Sequence, residues 1–212
     1  MIDIGQPPAT SMTDAINLPI TPPTDTRRAQ PWAWTEIAIV TLAQLITLRI
    51  MGQPWWCSCG TYWPWGYPTQ SQHNSQHLID AYTTSHMLHG VIFFFPIVWL
   101  LPRLGRVWQL AIAVAIEAGW EILENSPIVI NRYRDGTAAL GYSGDSVINS
   151  LGDLLSMVAG YLIARRIGLR WSIALFIVVE LIMLWWIRDN LTLNVVMLLY
   201  PIEAIKQWQM NV

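Results

Sequence analysis

Five stretches of the chain are almost continuously apolar, and each is close to the about 20 residues that a helix needs to cross the hydrocarbon core of a membrane. They lie at about residues 32–51, 85–101, 107–124, 146–164 and 171–187. The segment between the first two is rich in Pro, Gly, Trp and Gln and is too polar to span. The pattern predicts an all-α transmembrane bundle of five helices with a Trp-rich outer loop. The apolar stretch before Pro201 leaves a sixth span open as the alternative.

Composition supports a multi-pass membrane protein over a soluble domain, since 53% of the residues are hydrophobic and only 12% are charged. Residues 1–30 contain two Pro-Pro pairs and few large apolar residues, which predicts a disordered cytoplasmic tail before a transmembrane domain at 31–212. The net charge of −2 argues neither for nor against a nucleic-acid partner, and since the sequence has no basic cluster we predict none.

Basic residues near the span ends predict the orientation, because cytoplasmic loops carry an excess of Lys and Arg. With a cytoplasmic N-terminus, seven Arg lie inside: Arg27, Arg28, Arg103, Arg106, Arg165, Arg166 and Arg170. Four basic residues then lie outside: Arg132, Arg134, Arg188 and Lys206. We therefore expect the N-terminus to be cytoplasmic.

Two of the predicted spans carry rows of acidic or amide side chains that a membrane helix rarely carries. The rows are Glu117, Glu121 and Glu124 in the third span, and Asp145, Asn149 and Asp153 at the start of the fourth. Spacings of four, seven and eight residues place each row on one helical face. Because charge inside a bilayer is costly, these groups must be paired, protonated, metal-bound or exposed to a wet cavity.

The rows support two interpretations. In the functional one, Glu121 and Glu124 act as acid and base while Arg132 and Arg134 bind an anionic head group or phosphate. Further candidates for ligand binding at the same end are Asp145, Asn149, Arg188 and Asp189. In the architectural one, the arginines pair with the carboxylates and only hold the helix ends together.

Histidines and cysteines add candidate metal ligands. His86 and His89 share one helical face, and a carboxylate from the third span would complete a site for a divalent metal. His73 and His77 form a second pair in the outer loop. The alternative is that these imidazoles are hydrogen-bonding groups at the wet interface.

The two cysteines are Cys57 and Cys59, in the same loop. With one residue between them, a disulfide would be strained and is not expected. Two free thiols, or a two-thiol half-site for zinc, are the interpretations left open.

Several blocks of sequence resemble a bacterial inner-membrane family that carries only a domain-of-unknown-function label, number 2585. The blocks are Cys57 to Gly60, Ser75 to His77, Ser85-His86, His89-Gly90, Trp120 to Pro127, Gly141 to Ser146 and Ile187 to Asn194. The resemblance implies the bacterial inner membrane and the bundle fold, and no reaction. More distantly, Glu121 through Arg132 followed by Asp145 and Asn149 is similar to the core pattern of VanZ-like membrane proteins.

Together these features predict a periplasm-facing site that binds or processes an anionic lipid or lipid-linked phosphate. The alternative is a non-catalytic accessory or assembly subunit of a larger membrane complex, with other membrane subunits as partners. A small transporter is disfavoured because the charged residues cluster at one end of the spans.

Overall fold

The structure is a computed structural model, and it describes residues 26–139 and 141–210. Within these ranges the chain forms seven helices and no strand, which confirms the all-α prediction. They are α1 (Thr26–Ile50), α2 (Thr83–Leu100), α3 (Arg106–Glu124), α4 (Pro127–Gly136), α5 (Val147–Ile187), α6 (Leu191–Leu199) and α7 (Glu203–Met210). The part of the predicted tail at residues 1–25 lies outside the described residues.

Three of the described helices are long and apolar enough to cross a membrane: α1 from Pro31, α2 and α5. This agrees with a membrane protein. The third predicted span corresponds to α3, which carries three glutamates and is not among these candidates. The fourth and fifth predicted spans both lie within α5. The count of five spans therefore stays a prediction.

Helix α5 reverses direction at Gly168, whose φ of 74° and ψ of 174° are not helical. A straight helix of its 41 residues would separate its ends by about 60 Å. Instead, both ends lie against the loop that joins α1 to α2. Near the first end, Asn149 Nδ2 donates to the His77 carbonyl at 2.8 Å. At the second, the Trp186 ring stacks on Trp65 with 5.9 Å between centroids. The two arms of α5, residues 147–167 and 169–187, thus form a helical hairpin.

Side chains cap the starts of three helices. Ser126, Ser146 and Asn190 each accept a hydrogen bond from the backbone N–H three residues on, at the starts of α4, α5 and α6. Such caps satisfy amide groups that the first helical turn leaves without a partner. Buried Glu180 adds to the last of them, since its carboxylate accepts from the first two N–H groups of α6. These contacts fix where each helix begins around the loop.

Glycines allow α2 and α5 to pack backbone against backbone. A Cβ at Gly90 would collide with the backbone of Met157, and one at Gly160 would collide with the backbone of Met87. Membrane helices approach this closely only through small residues. The contact sets the register between the two helices and so decides which of their polar side chains face each other.

The apolar core lies between α2, α3 and α5, toward the end of the bundle away from the loop. Its buried members are Ile97, Leu110, Ala113, Val114, Leu154, Met157 and Tyr161. The loop end of the same three helices carries the predicted polar rows. The bundle is therefore divided along its length into an apolar part and a polar part.

Candidate functional site

Two histidines of α2 converge on one carboxylate of α3. His86 Nδ1 lies 2.6 Å from Glu117 Oε1, and His89 Nδ1 lies 3.0 Å from Glu117 Oε2. The three-residue spacing of the histidines places both imidazoles on one face, and Glu117 is fully buried opposite them. Each imidazole donates to the same carboxylate, so the three side chains form one unit.

The acidic rows of α3 and α5 meet at His86. Its Nδ1 also lies 3.2 Å from Glu121 Oε1, and its Nε2 lies 3.9 Å from Asp153 Oδ2. Within the described chain, neither oxygen of buried Glu121 has a hydrogen-bond partner, and the same holds for one oxygen of Asp153 and one of Glu124. Buried carboxylate oxygens without partners are costly. The cluster is therefore built to receive a cation or a proton donor.

A cavity of about 950 Å³ extends from this cluster to the loop above it. Its acidic and imidazole lining consists of His86, His89, Glu124, Asp145, Asp153 and Asp189. One wall is apolar, with Phe93, Ile116 and Trp120. Among the described residues that line the cavity there is no Lys or Arg. Its electrostatic character favours a cation over a free anion.

Asp145 is held by neighbours on several sides. Asn125 Nδ2 donates to its carboxylate at 2.8 Å, its own N–H donates to Asn125 Oδ1 at 2.7 Å, and the Tyr142 hydroxyl donates to it at 3.0 Å. Burial raises the pKa of the Asp145 carboxyl above its ordinary value. The side chain of Asn149 donates to the His77 carbonyl of the loop. Both residues position α5 against its neighbours.

Asp189 follows the second arm of α5 and lines the same cavity. The Tyr82 hydroxyl donates to its Oδ2 at 3.0 Å, which ties the end of α5 to the start of α2. Burial raises the pKa of Asp189 to about 6. This carboxyl therefore gains a proton under mildly acidic conditions.

The three predicted ligand-binding arginines bind the chain itself. Arg132 donates to the carbonyls of Leu198 and Leu199, at the last turn of α6. Arg134 donates to the Tyr142 carbonyl at 2.5 Å. Arg188 donates to the Trp208 carbonyl and lies over its ring. Arg132 and Arg134 thus bind backbone carbonyls, and within the described chain no ion pair joins either of them to a carboxylate.

Three sets of side chains in the described chain have ligand atoms close enough to hold one metal ion. They are His86, His89 and Glu117; His86, Glu121 and Glu124; and Cys57, Cys59, His73 and His77. The first set has the two-His, one-carboxylate composition of catalytic zinc sites, which leave a fourth position to water or substrate. The predicted pair of His86 and His89 is thus joined by the third-helix carboxylate that it needed, Glu117.

The cysteine prediction needs a correction. The sulfurs of Cys57 and Cys59 lie at bonding distance, as in a disulfide, and the described chain contains no free cysteine. The expectation of two free thiols was therefore wrong for this structure. The loop holds the two sulfurs side by side, an arrangement that the one-residue spacing was expected to disfavour.

Sequence reasoning missed several residues of the site. Glu117 and Asp153 belonged to the predicted rows but were given no role. Asn125 lies four residues after Glu121, on the same helical face, and this spacing was a signal for it. Tyr82 and Tyr142 come from loops, where no periodicity marks them.

Comparison with known proteins shows the family to which the chain belongs. A family model described as "Protein of unknown function (DUF2585)" matches residues 48–211. The chain belongs to the DUF2585 family. It is 51% identical over 178 residues to a protein of Sphingopyxis alaskensis named "UPF0314 protein", which covers 83% of this chain and 94% of that one. A "UPF0314 protein" of Paracoccus denitrificans is 45% identical over 184 residues, covering 87% and 94%.

A third DUF2585 relative, "UPF0314 protein NGR_c32320" of Sinorhizobium fredii, is 44% identical over 186 residues, covering 87% of this chain and 94% of that one. No solved structure matches. The printed names assign no reaction, so the function of this DUF2585 protein must be argued from the site. The similarity to VanZ-like proteins stays a prediction.

Proposed function

We propose that the protein binds a divalent cation in the cavity and, through it, the phosphate of an anionic lipid or lipid-linked phosphate. The observation that carries the proposal is the convergence of the His86 and His89 Nδ1 atoms on Glu117, at 2.6 and 3.0 Å. In this proposal these three side chains would hold the metal, and two of them, His86 and His89, line the cavity.

The acidic lining explains why a metal is needed. A phosphate entering beside Glu124, Asp153 and Asp189 would meet negative charge, and no described Lys or Arg side chain lines the cavity to offset it. A divalent ion reverses the local charge and presents open coordination positions to phosphate oxygens. The wall formed by Phe93 and Trp120 suits the apolar part of a lipid.

Glu121 and Glu124 fit the acid and base roles. Both carry buried oxygens without hydrogen-bond partners in the described chain, next to His86. The reaction class that the site supports is phosphoester hydrolysis. A divalent ion held by His86, His89 and Glu117 would polarise a water for attack on phosphorus. Of Glu121 and Glu124, one would take the proton of the attacking water, and the other would protonate the ester oxygen as its bond to phosphorus breaks.

The proposed setting is the bacterial inner membrane, with five crossings, a cytoplasmic N-terminus and the cavity facing the periplasm. Reversal of α5 at Gly168 supports two crossings within that element. The arginines Arg165, Arg166 and Arg170 flank the reversal, as expected for the cytoplasmic side. The loop and the cavity lie at the opposite end of the α5 arms.

The test is native mass spectrometry of the protein released from its own membranes in mild detergent. We expect a divalent metal and a discrete anionic lipid in the wild type, and loss of both in Glu117→Gln and His89→Ala. The matched control is Glu36→Gln, which removes an exposed carboxylate on α1 and is expected to change neither.

Lipid retained in the metal-free variants would refute the proposed role of the metal. A stoichiometric protein partner with neither metal nor lipid would instead support the accessory-subunit alternative.

A further inference from the structure

The loop between α1 and α2 brings together four side chains that no part of the proposed function uses. Cys57 and Cys59 lie beside His73 and His77, and one ligand atom from each falls within 4.8 Å of the others. Along the chain they read Cys-x-Cys, thirteen residues, then His-x-x-x-His. The spacing of the histidines falls within the range used by structural zinc sites of two cysteines and two histidines, whereas the cysteines are one residue closer than the usual minimum.

We propose that these four residues form a structural zinc site, separate from the His86 cluster. Tetrahedral zinc would place its two nitrogens about 3.3 Å apart and each nitrogen about 3.6 Å from a sulfur. His73 Nδ1 lies 3.2 Å from His77 Nε2, and 3.8 Å from the Cys57 sulfur. The Cys59 sulfur lies 4.0 Å from His77 Nε2. The two sulfurs, which lie at bonding distance, would have to separate to about 3.8 Å to complete a tetrahedral site.

The neighbours of His77 fix the tautomer and the orientation of its ring in the way that a metal ligand needs. Its Nδ1 lies 2.6 Å from the Trp63 carbonyl, to which it donates, so the lone pair of the neutral ring is on Nε2. A backbone carbonyl that fixes the free ring nitrogen is the usual support for a metal-bound histidine. The His77 carbonyl in turn accepts from Asn149, which anchors the ligand to α5. His77 is 1% exposed, so its orientation is fixed before any metal binds.

The ligand chemistry selects zinc among common divalent ions. Two thiolates and two imidazoles suit Zn²⁺, whereas Mg²⁺ and Ca²⁺ prefer oxygen ligands. Binding releases one proton from each thiol and involves no change of oxidation state. A disulfide between the same two sulfurs excludes the ion, so zinc and the bonded arrangement of the sulfurs are alternatives. Without metal, the facing histidines form a hydrogen bond in which His73 donates to His77.

Zinc at this position would fix the loop that covers the cavity. Cys57 and Cys59 lie in the lining of the cavity. Four ligands drawn from both ends of a 21-residue segment, 57–77, would hold a loop that contains no regular helix or strand in the described chain. The ion would thereby shape the cavity entrance without joining the reaction.

The first test is cobalt substitution in the full chain, purified in mild detergent with a phosphine reductant. We expect added Co²⁺ to give the thiolate-to-metal charge-transfer band and the intense visible bands of a tetrahedral site, and Zn²⁺ to abolish them. Absence of the charge-transfer band in fully reduced protein would overturn the proposal. This measurement needs no variant and so does not depend on whether a variant folds.

The second test is metal content in variants. We expect one equivalent of zinc to be lost in the double variant Cys57→Ser, Cys59→Ser and in His77→Ala. It should be retained in Ser58→Ala, which alters the same loop without removing a ligand, and in His89→Ala, which alters the other cluster. Unchanged zinc in the double variant would overturn the proposal. So would protein isolated with its thiols blocked that carries no zinc and is lighter by two hydrogens, the mass of the disulfide form.

Discussion

Two glutamates of α3, Glu117 and Glu121, should respond to the same substitution to very different extents. Glu117 accepts hydrogen bonds from both His86 and His89, whereas Glu121 has no hydrogen-bond partner in the described chain. A hydrogen bond to a charged group contributes about 1.5–3 kcal/mol, so Glu117→Gln should lower the free energy of unfolding by about 3–6 kcal/mol. Glu121→Gln breaks no hydrogen bond and should change the free energy of unfolding by less than about 1 kcal/mol.

These energies correspond to a measurable shift in melting temperature. One kcal/mol corresponds to about 2–4 °C for a domain of this size, so Glu117→Gln should melt about 6–24 °C below the wild type. Glu121→Gln should stay within about 4 °C of it. The assay is thermal unfolding in detergent followed by the fluorescence of the 13 tryptophans. Excess chelator keeps the metal from contributing to either value.

Three results would bear on the reasoning. Equal destabilisation by Glu117→Gln and Glu121→Gln would refute it, because the two carboxylates would then be equivalent parts of one structural network. A stable Glu117→Gln would refute the hydrogen-bond geometry at His86. The exposed control Glu36→Gln should match the wild type in the same assay.

Three further predictions concern other parts of the chain. Gly160→Leu should force α2 and α5 apart and prevent accumulation in the membrane, measured by immunoblot, whereas Ala159→Leu on the exposed face should accumulate normally. Arg132→Ala should lower the melting temperature by several degrees, since α6 loses two capping hydrogen bonds, while native mass spectrometry finds metal and lipid unchanged. Loss of the lipid would instead restore Arg132 as a phosphate ligand.

Burial raises the pKa of Asp189 to about 6. The contribution of this carboxyl to the free energy of unfolding is therefore fully present below its ordinary pKa of 3.8 and is lost as the pH rises through about 6. In Asp189→Asn, the melting temperature should therefore vary less with pH around pH 6 than in the wild type. An unchanged pH profile would contradict the raised pKa of Asp189.

The helices could be predicted because membrane helices are set by long apolar runs. Each predicted span has a helical counterpart, and the hairpin of α5 turns at Gly168, between arginines that the sequence already suggested lie outside the hydrocarbon. The pattern of apolar stretches does not reveal whether α3 crosses the membrane, because the glutamates of α3 lower its mean hydropathy. The cost of burying Glu117 is offset by His86 and His89 on α2, and these contacts are tertiary.

Helical periodicity predicted part of the site and could not predict the rest. Spacing alone placed Glu117 and Glu121 on one face, and the structure keeps them there. The contacts of Arg132 are with the last carbonyls of α6, 66 and 67 residues further along the chain, and no local spacing indicates them. The Cys and His residues of the loop come together through an irregular path, for which no repeating spacing exists.

The measurement that tests the central claim most directly is lipid retention with and without metal. Native mass spectrometry would be applied to wild-type protein from its own membranes, before chelation, after chelation, and after a divalent ion is restored. The account predicts that an anionic lipid leaves with the metal of the His86, His89 and Glu117 site and binds again when that metal returns. Lipid that stays on the fully metal-free protein would contradict it.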